Sequence, residues 1–182
     1  MAVLNDKQIE ALAERGMIEP FAPMAKRPGV ISYGVTSFGY DMRVADEWRM
    51  YAGHVQSVDP KHAGRATTYT VLSDVITMNP GDFVLCRSVE KFRIPDDVLV
   101  VVVGKSTYAR CGIIVNVTPL EPGWEGYVTI ELSNTNTVPV KVYAHEGIAQ
   151  CIFHQGERPA VTYADKGGKY QAQQGIVMPK VD

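Results

Sequence analysis

The chain has 182 residues, 46% of them hydrophobic and 21% charged, close to the globular average, which excludes a disordered tail, a fibrous protein and a low-complexity array. Eighteen Lys and Arg against 20 Asp and Glu give a net charge of -2, with no block of like charge, so a general DNA or RNA backbone binder is excluded too. The longest aliphatic run, Val98 to Val103, is far short of the roughly 20 residues that span a bilayer, and the N-terminus lacks the pattern of a signal peptide; the expectation is one cytoplasmic domain over residues 1–182.

In chain order, Asn5 or Asp6 caps a short helix through Glu14, with Ile9, Leu12 and Ala13 at helical spacing and Gly16 as its stop. The period then changes. Short β-branched or aromatic runs at Val71 to Met78, Phe83 to Ser88, Val98 to Val103, Ile113 to Thr118, Tyr127 to Ser133, Val138 to Tyr143 and Ile148 to His154 predict strands. Turn compositions such as Asn79-Pro80-Gly81-Asp82 and Glu121-Pro122-Gly123 separate them, so the expected fold is all-β, a barrel or jelly roll. Within Tyr127 to Ser133 the alternation puts Val128, Ile130 and Leu132 on one face and Tyr127, Thr129, Glu131 and Ser133 on the other. From about residue 155 to 182 the chain turns polar and glycine-rich with isolated aromatics, which predicts a mobile tail or lid.

Cys86, Cys111 and Cys151 are isolated, as buried thiols in a reducing compartment would be, and disulfides are not expected. His54, His62, His145 and His154 are scattered and form no zinc motif, so no catalytic zinc is expected. Gly104-Lys105-Ser106-Thr107 follows an aliphatic strand as a P-loop ending would, but the motif needs glycine where Leu99 stands. The local reading is a short helix capped by Ser106 or Thr107, running to Arg110 and ending at Gly112, with Lys105, Ser106 and Arg110 able to surround an anion. Glu131 is a carboxylate inside an apolar strand: either a solvent-facing or paired strand residue, or a general base raised in pKa by burial, with Arg110 as its natural partner.

These residues carry a resemblance. Gly104 to Gly112, Asn116-Val117-Thr118, Pro122 to Gly126, Thr129 to Asn134 and Gly168 to Gly175 resemble the deoxycytidine triphosphate (dCTP) deaminases, as do Ser32-Tyr33-Gly34 and Gly39 to Arg43 upstream. The resemblance implies a trimeric β fold shared with deoxyuridine triphosphatases (dUTPases), and deamination of dCTP to dUTP and ammonia without zinc, supplying dUTP for thymidylate synthesis. Magnesium would arrive on the triphosphate. It implies that Glu131, Arg110 and Ser106 are catalytic. Lys105, Ser106, Thr107, Tyr108, Ala109 and Arg110 would bind the triphosphate and order the site, Thr129, Ile130 and Glu131 would meet the nucleoside, and Gln150, Tyr163, Lys169 and Gln173 would close over the phosphates. The loop Thr118 to Gly123 looks shorter than in the family's best-known branch, and Pro119 stands where that branch has a small residue whose carbonyl helps hold the attacking water. Two further activities are compatible with the fold: a bifunctional enzyme that also hydrolyses dUTP to dUMP and diphosphate, and a non-catalytic nucleotide-binding regulator. Gly167 to Gln171 lacks the Phe-containing glycine motif of the hydrolases, and a regulator would have no need of Glu131.

Overall fold

The computed structural model describes residues 2–181 and, within them, the side chains outside 63–65. Asn5 accepts the backbone N–H of Gln8 while the Gln8 side chain accepts that of Asn5, a capping box that starts α1 (Asp6–Ala13). Gly16, at φ +91°, lets the chain turn away after it. Ile9 anchors this helix on the core.

Strands make up most of the rest: β1 (Ala2–Val3), β2 (Ile18–Glu19), β3 (Gly34–Thr36), β4 (Gly39–Tyr51), β5 (Thr68–Leu72), β6 (Val75–Met78), β7 (Phe83–Arg93), β8 (Val98–Gly104), β9 (Ile113–Asn116), β10 (Glu125–Asn134), β11 (Val140–Tyr143) and β12 (Gly147–Gln155). Four-residue helix α2 (Ser106–Ala109) joins β8 to β9. The main sheet runs β1-β12-β4-β7-β10-β9 and curls into a half-barrel, with β8 on β12 and β5 on β4 at its branches, while β6 and β11 pair separately. The fold is thus all-β, and every named strand pair is antiparallel. Inside lie Tyr40, Met42, Trp48, Phe92, Ile130, Leu132, Ile148 and Phe153, all fully buried.

Several boundaries differ from expectation for local reasons. Val71 to Met78 is not one strand, because Ser73 Oγ donates to the Val75 carbonyl and turns the chain between β5 and β6. The longest strand, β4, has no counterpart among the expected strands: Asp41, Arg43, Asp46, Glu47 and Arg49 mask its periodicity, and three of these charges meet opposite ones from elsewhere in the chain, Asp41 with Lys105, Arg43 with Glu90 and Glu47 with Arg87. Arg43 shows how. Its Nε lies 2.7 Å from Glu90 Oε1, its backbone N–H donates to Glu90 Oε2 at 3.0 Å, and the Tyr40 hydroxyl adds a third donor at 3.1 Å. Glu90 is wholly buried, and burial pushes its carboxyl above the usual range while Arg43 pulls it back. Glu90→Ala would leave the Arg43 guanidinium uncompensated, so about 3–5 kcal/mol of stability should go. Thermal unfolding should show Tm lower by roughly 6–20 °C.

A buried serine shapes the strand that matters most for the site. Ser88 Oγ donates to the Glu90 carbonyl at 2.6 Å and accepts the Val128 N–H at 2.9 Å. It thereby satisfies the donor that the bulge between Tyr127 and Thr129 removes from the β7–β10 ladder.

Candidate functional site

Along β10, Val128, Ile130 and Leu132 are buried while Tyr127, Thr129, Glu131 and Ser133 are half-buried on the other face, as the alternation requires. Thr129 and Glu131 line a cavity of about 710 Å³. Its walls are largely apolar: Leu85, Leu99, Val117, Leu120 and Trp124 among them, with Tyr163, Lys169, Tyr170 and Gln173 closing it from the C-terminal segment. Burial in this setting pushes the Glu131 carboxyl up to about 7, against the pull of its own backbone N–H. Among the described residues its side-chain hydrogen bond comes from Asn116 Nδ2 at 3.4 Å, across the β9–β10 pair.

Within one chain Arg110 is not its partner. That guanidinium donates to the Ser106 carbonyl at 2.9 Å, one turn back on its own helix, and Ser106, Thr107, Ala109 and Arg110 are all exposed. Nor do Ser106 or Thr107 cap the helix: Lys105 is the N-cap residue and no side chain serves there, so α2 is a tight surface turn. Tyr108 points the other way, buried in the core, with its hydroxyl accepting the Tyr143 N–H at 2.9 Å. Its ring holds α2 onto the barrel, so its place in the sequence beside Ser106 and Arg110 does not put its side chain in a ligand site. Ile130 is likewise a core side chain, leaving only its backbone on the site face. Cys86 and Cys151 are buried, but Cys111, expected inside, is exposed just after α2.

Lys105 is engaged: its ammonium pairs with Asp41 on β4, and both side chains are about nine-tenths covered. Gln150 on β12 sits opposite Asp41 and donates to Thr36 Oγ1 at 3.2 Å. One chain therefore carries two separate groups. Lys105, Ser106, Arg110, Gln150 and Asp41 form one, and Thr129, Glu131, Tyr163, Lys169 and Gln173 form the other; among the described residues no hydrogen bond or ion pair joins them.

The C-terminal segment is docked. Tyr163 N–H donates to the Pro122 carbonyl and its hydroxyl accepts the Tyr170 N–H at 3.0 Å. Trp124 Nε1 donates to the Tyr170 carbonyl, and Gln171 Nε2 to the Gly123 carbonyl. Gly168, expected to give the tail freedom, is needed for closeness instead: a Cβ there would sit 2.2 Å from the Tyr163 ring. Lys169 is exposed, its ammonium 5.7 Å from the centre of the Tyr170 ring. The Gln173 side chain donates to the Tyr127 carbonyl and to Thr129 Oγ1.

A family model described as dCTP deaminase-like matches residues 3–156, from β1 to the end of β12. The chain belongs to the dCTP deaminase-like family. A protein of Acidobacterium capsulatum named dCTP deaminase is 55% identical over 184 residues, covering the whole of both chains. Another of that name, from Erythrobacter litoralis, is 56% identical over 185 residues, again covering both entirely. The crystal structure of 2'-deoxycytidine 5'-triphosphate deaminase from Agrobacterium tumefaciens matches in fold, with a TM-score of 0.65 at 18% identity over 85% of this chain and 48% of that one.

Sequence reasoning gave no role to Asp41, which pairs with Lys105, to Asn116, which donates to Glu131, or to Trp124, which holds the C-terminal segment at the Tyr170 carbonyl. The signal for Asp41 was its place among apolar neighbours in Gly39 to Arg43; Asn116 and Trp124 lie in segments that carry the family resemblance, but their local sequence does not indicate these contacts, because the partners lie 15 and 46 residues away.

Proposed function

We propose that this family member deaminates dCTP hydrolytically to dUTP and ammonia, with Glu131 as the proton-transfer group. The observation that carries the mechanism is a half-buried carboxylate with a pKa of about 7, beside a hydroxyl, in an apolar-walled cavity on the family's matched segment. Full-length relatives named dCTP deaminase support the substrate.

Water is too weak a nucleophile to add to C4 of cytosine unless its proton is taken as the C–O bond forms. Glu131 accepts that proton and delivers it to N3, which makes C4 more electrophilic. It then moves the remaining hydroxyl proton to the amine, which leaves as ammonia while C4–O becomes the uracil carbonyl. A pKa near ambient pH lets one carboxyl both take and give protons. Thr129 and the β10 backbone orient the base, and the apolar walls keep bulk water out.

The phosphate end needs cations, and the second group of residues supplies them: Lys105 and Arg110, with Ser106, Thr107 and Gln150 as neutral donors. Since one chain holds this group apart from Glu131, we assign the complete site to a homotrimer in which one copy's Lys105 to Arg110 faces another copy's β10. Exposed Val103, Ile114, Val138 and Tyr143 around α2 and β9 suit such contact. Among the described residues no three His, Cys, Asp or Glu side chains gather as metal ligands. Magnesium fits as a companion of the triphosphate, held by phosphate oxygens and lowering their charge. Residues 155–182 act as the lid, and no helix among the described residues is long and apolar enough to cross a membrane.

Incubation with magnesium and dCTP, followed by product separation, should give dUTP and ammonia in equal amounts, undiminished by a zinc-selective chelator. Accumulation of dUMP and diphosphate would move the reading to the bifunctional enzyme. Zinc at one per chain with activity lost on its removal would reject the metal-free proton transfer.

A further inference from the structure

The β9 ladder on β10 covers only Glu131 to Asn134, so the edge of β10 from Glu125 to Ile130 has no β9 neighbour. An unpaired edge offers N–H and C=O groups to whatever extended segment arrives. Here it is the chain's own tail. Ala172 N–H donates to the Glu125 carbonyl at 2.8 Å, Tyr127 N–H donates to the Gln173 carbonyl at 3.1 Å, and Gly126 and Gln173 form a parallel bridge.

Two features mark this contact as shaped for the tail. At Gly126, φ +150°, a Cβ would meet Gln173 Cγ, N and O at 2.9–3.0 Å, so the close approach exists only because that residue is glycine. Ala172 is held at φ +57°, left-handed backbone that a non-glycine residue adopts only under constraint from its surroundings. With the backbone so fixed, the nine-tenths buried Gln173 side chain reaches across and donates to the Tyr127 carbonyl and the Thr129 hydroxyl, while Val177 N–H donates to the same hydroxyl at 3.3 Å.

A primary carboxamide carries an NH2 donor next to a carbonyl acceptor. On β10 it is the NH2 of Gln173 that is engaged, by both acceptors, and cytosine carries the same kind of donor in its 4-amino group. Thr129 is two residues from Glu131 on the same face, so a base whose C4 is to meet Glu131 must lie against Thr129. We infer that the Gln173 carboxamide is a resident stand-in for the base: in the free enzyme it occupies the Tyr127 carbonyl and Thr129 hydroxyl, and the cytosine edge has to displace it. This rests on the reading of Thr129 to Glu131 as the nucleoside site. The tail is then an autoinhibitory strap before it is a lid, and the family's phosphate role for Gln173 follows its release.

The test uses 2'-deoxycytidine, which has no phosphates, as an inhibitor of dCTP turnover by the full chain. Removing a competing pair of neutral hydrogen bonds should tighten it roughly 2- to 10-fold in Gln173→Ala. Gly126→Ala pushes the same segment off β10 without altering Gln173 and should shift deoxycytidine in the same direction. Trp124 fluorescence, with its indole on the Tyr170 carbonyl, reports tail release in both variants and in wild type on adding the nucleoside. An inhibition constant unchanged or weaker in Gln173→Ala overturns the inference, as does deoxycytidine failing to compete with any of the proteins. Should wild type lack dCTP turnover, the functional reading itself falls, and that outcome is distinct because turnover is measured before any inhibitor is added.

Discussion

Replacing Glu131 by Gln is expected to lower deamination by roughly two to four orders of magnitude while nucleotide binding persists, because the amide keeps the shape and cannot accept the proton of water. Isothermal titration with dCTP separates the two effects, and turnover within about tenfold of wild type would remove Glu131 from the chemistry. In wild type, kcat/KM should rise with pH through about 7, as the carboxyl that burial holds up loses its proton and becomes a base. Stability should run the opposite way. With a folded pKa of about 7 against an ordinary 4.5, the native state keeps a proton that the unfolded chain has released. The group's stabilisation is therefore full below about pH 4.5 and lost as pH rises through 7. At pH 8 wild type carries a half-buried charge that the Gln variant lacks. Allowing for the carboxylate's partial exposure, Glu131→Gln should be more stable by about 1–2 kcal/mol at pH 8 and no more stable at pH 4. Melting curves at the two values check the sign, and an equal gain at both would deny the charge its part.

Deleting the residues after Ala160 should damage catalysis far more than folding. The tail contributes Thr162, Gln173 and Ile176 to the buried set, but the fully buried side chains of the barrel all come from residues before 155. What the cavity loses is one wall: Tyr163, Lys169, Tyr170, Gln173, Val177 and Pro179 go, and with them the exclusion of water from Glu131. Turnover should fall at least roughly a hundredfold, with a raised KM for dCTP. Light scattering should still give three copies per particle for the truncated and the full chain, since the proposed contacts lie around α2 and β9. A truncated trimer with unchanged rate and KM would assign the tail no part in closure. A monomer retaining full activity would equally remove the shared site.

Much of this site is legible in the amino-acid order alone. Alternation over Tyr127 to Ser133 sets the face that Glu131 occupies, because side chains in a strand alternate whatever surrounds them, and the capping signal at Asn5 locates α1 for an equally local reason. The chain's all-β character follows from β-branched runs and turn residues. Properties that depend on distant partners are not legible in this way. Strand β4 hides behind five charges, among them Arg43, neutralised by Glu90 47 positions away, and Asp41, neutralised by Lys105 64 positions away. Spacing of four places Ser106 and Arg110 together, yet it does not say that Arg110 turns back onto the Ser106 carbonyl instead of reaching the Glu131 of its own chain. The glycine at 168 reads as freedom in the sequence and is room for Tyr163 in the fold, since a sequence displays a missing Cβ but not what fills its space. Local rules act through the backbone's own geometry and are written in neighbouring residues. Ion pairs, the pKa of Glu131 and the docking of the tail are set by burial, and burial is decided only when strands far apart in the chain close around the same cavity.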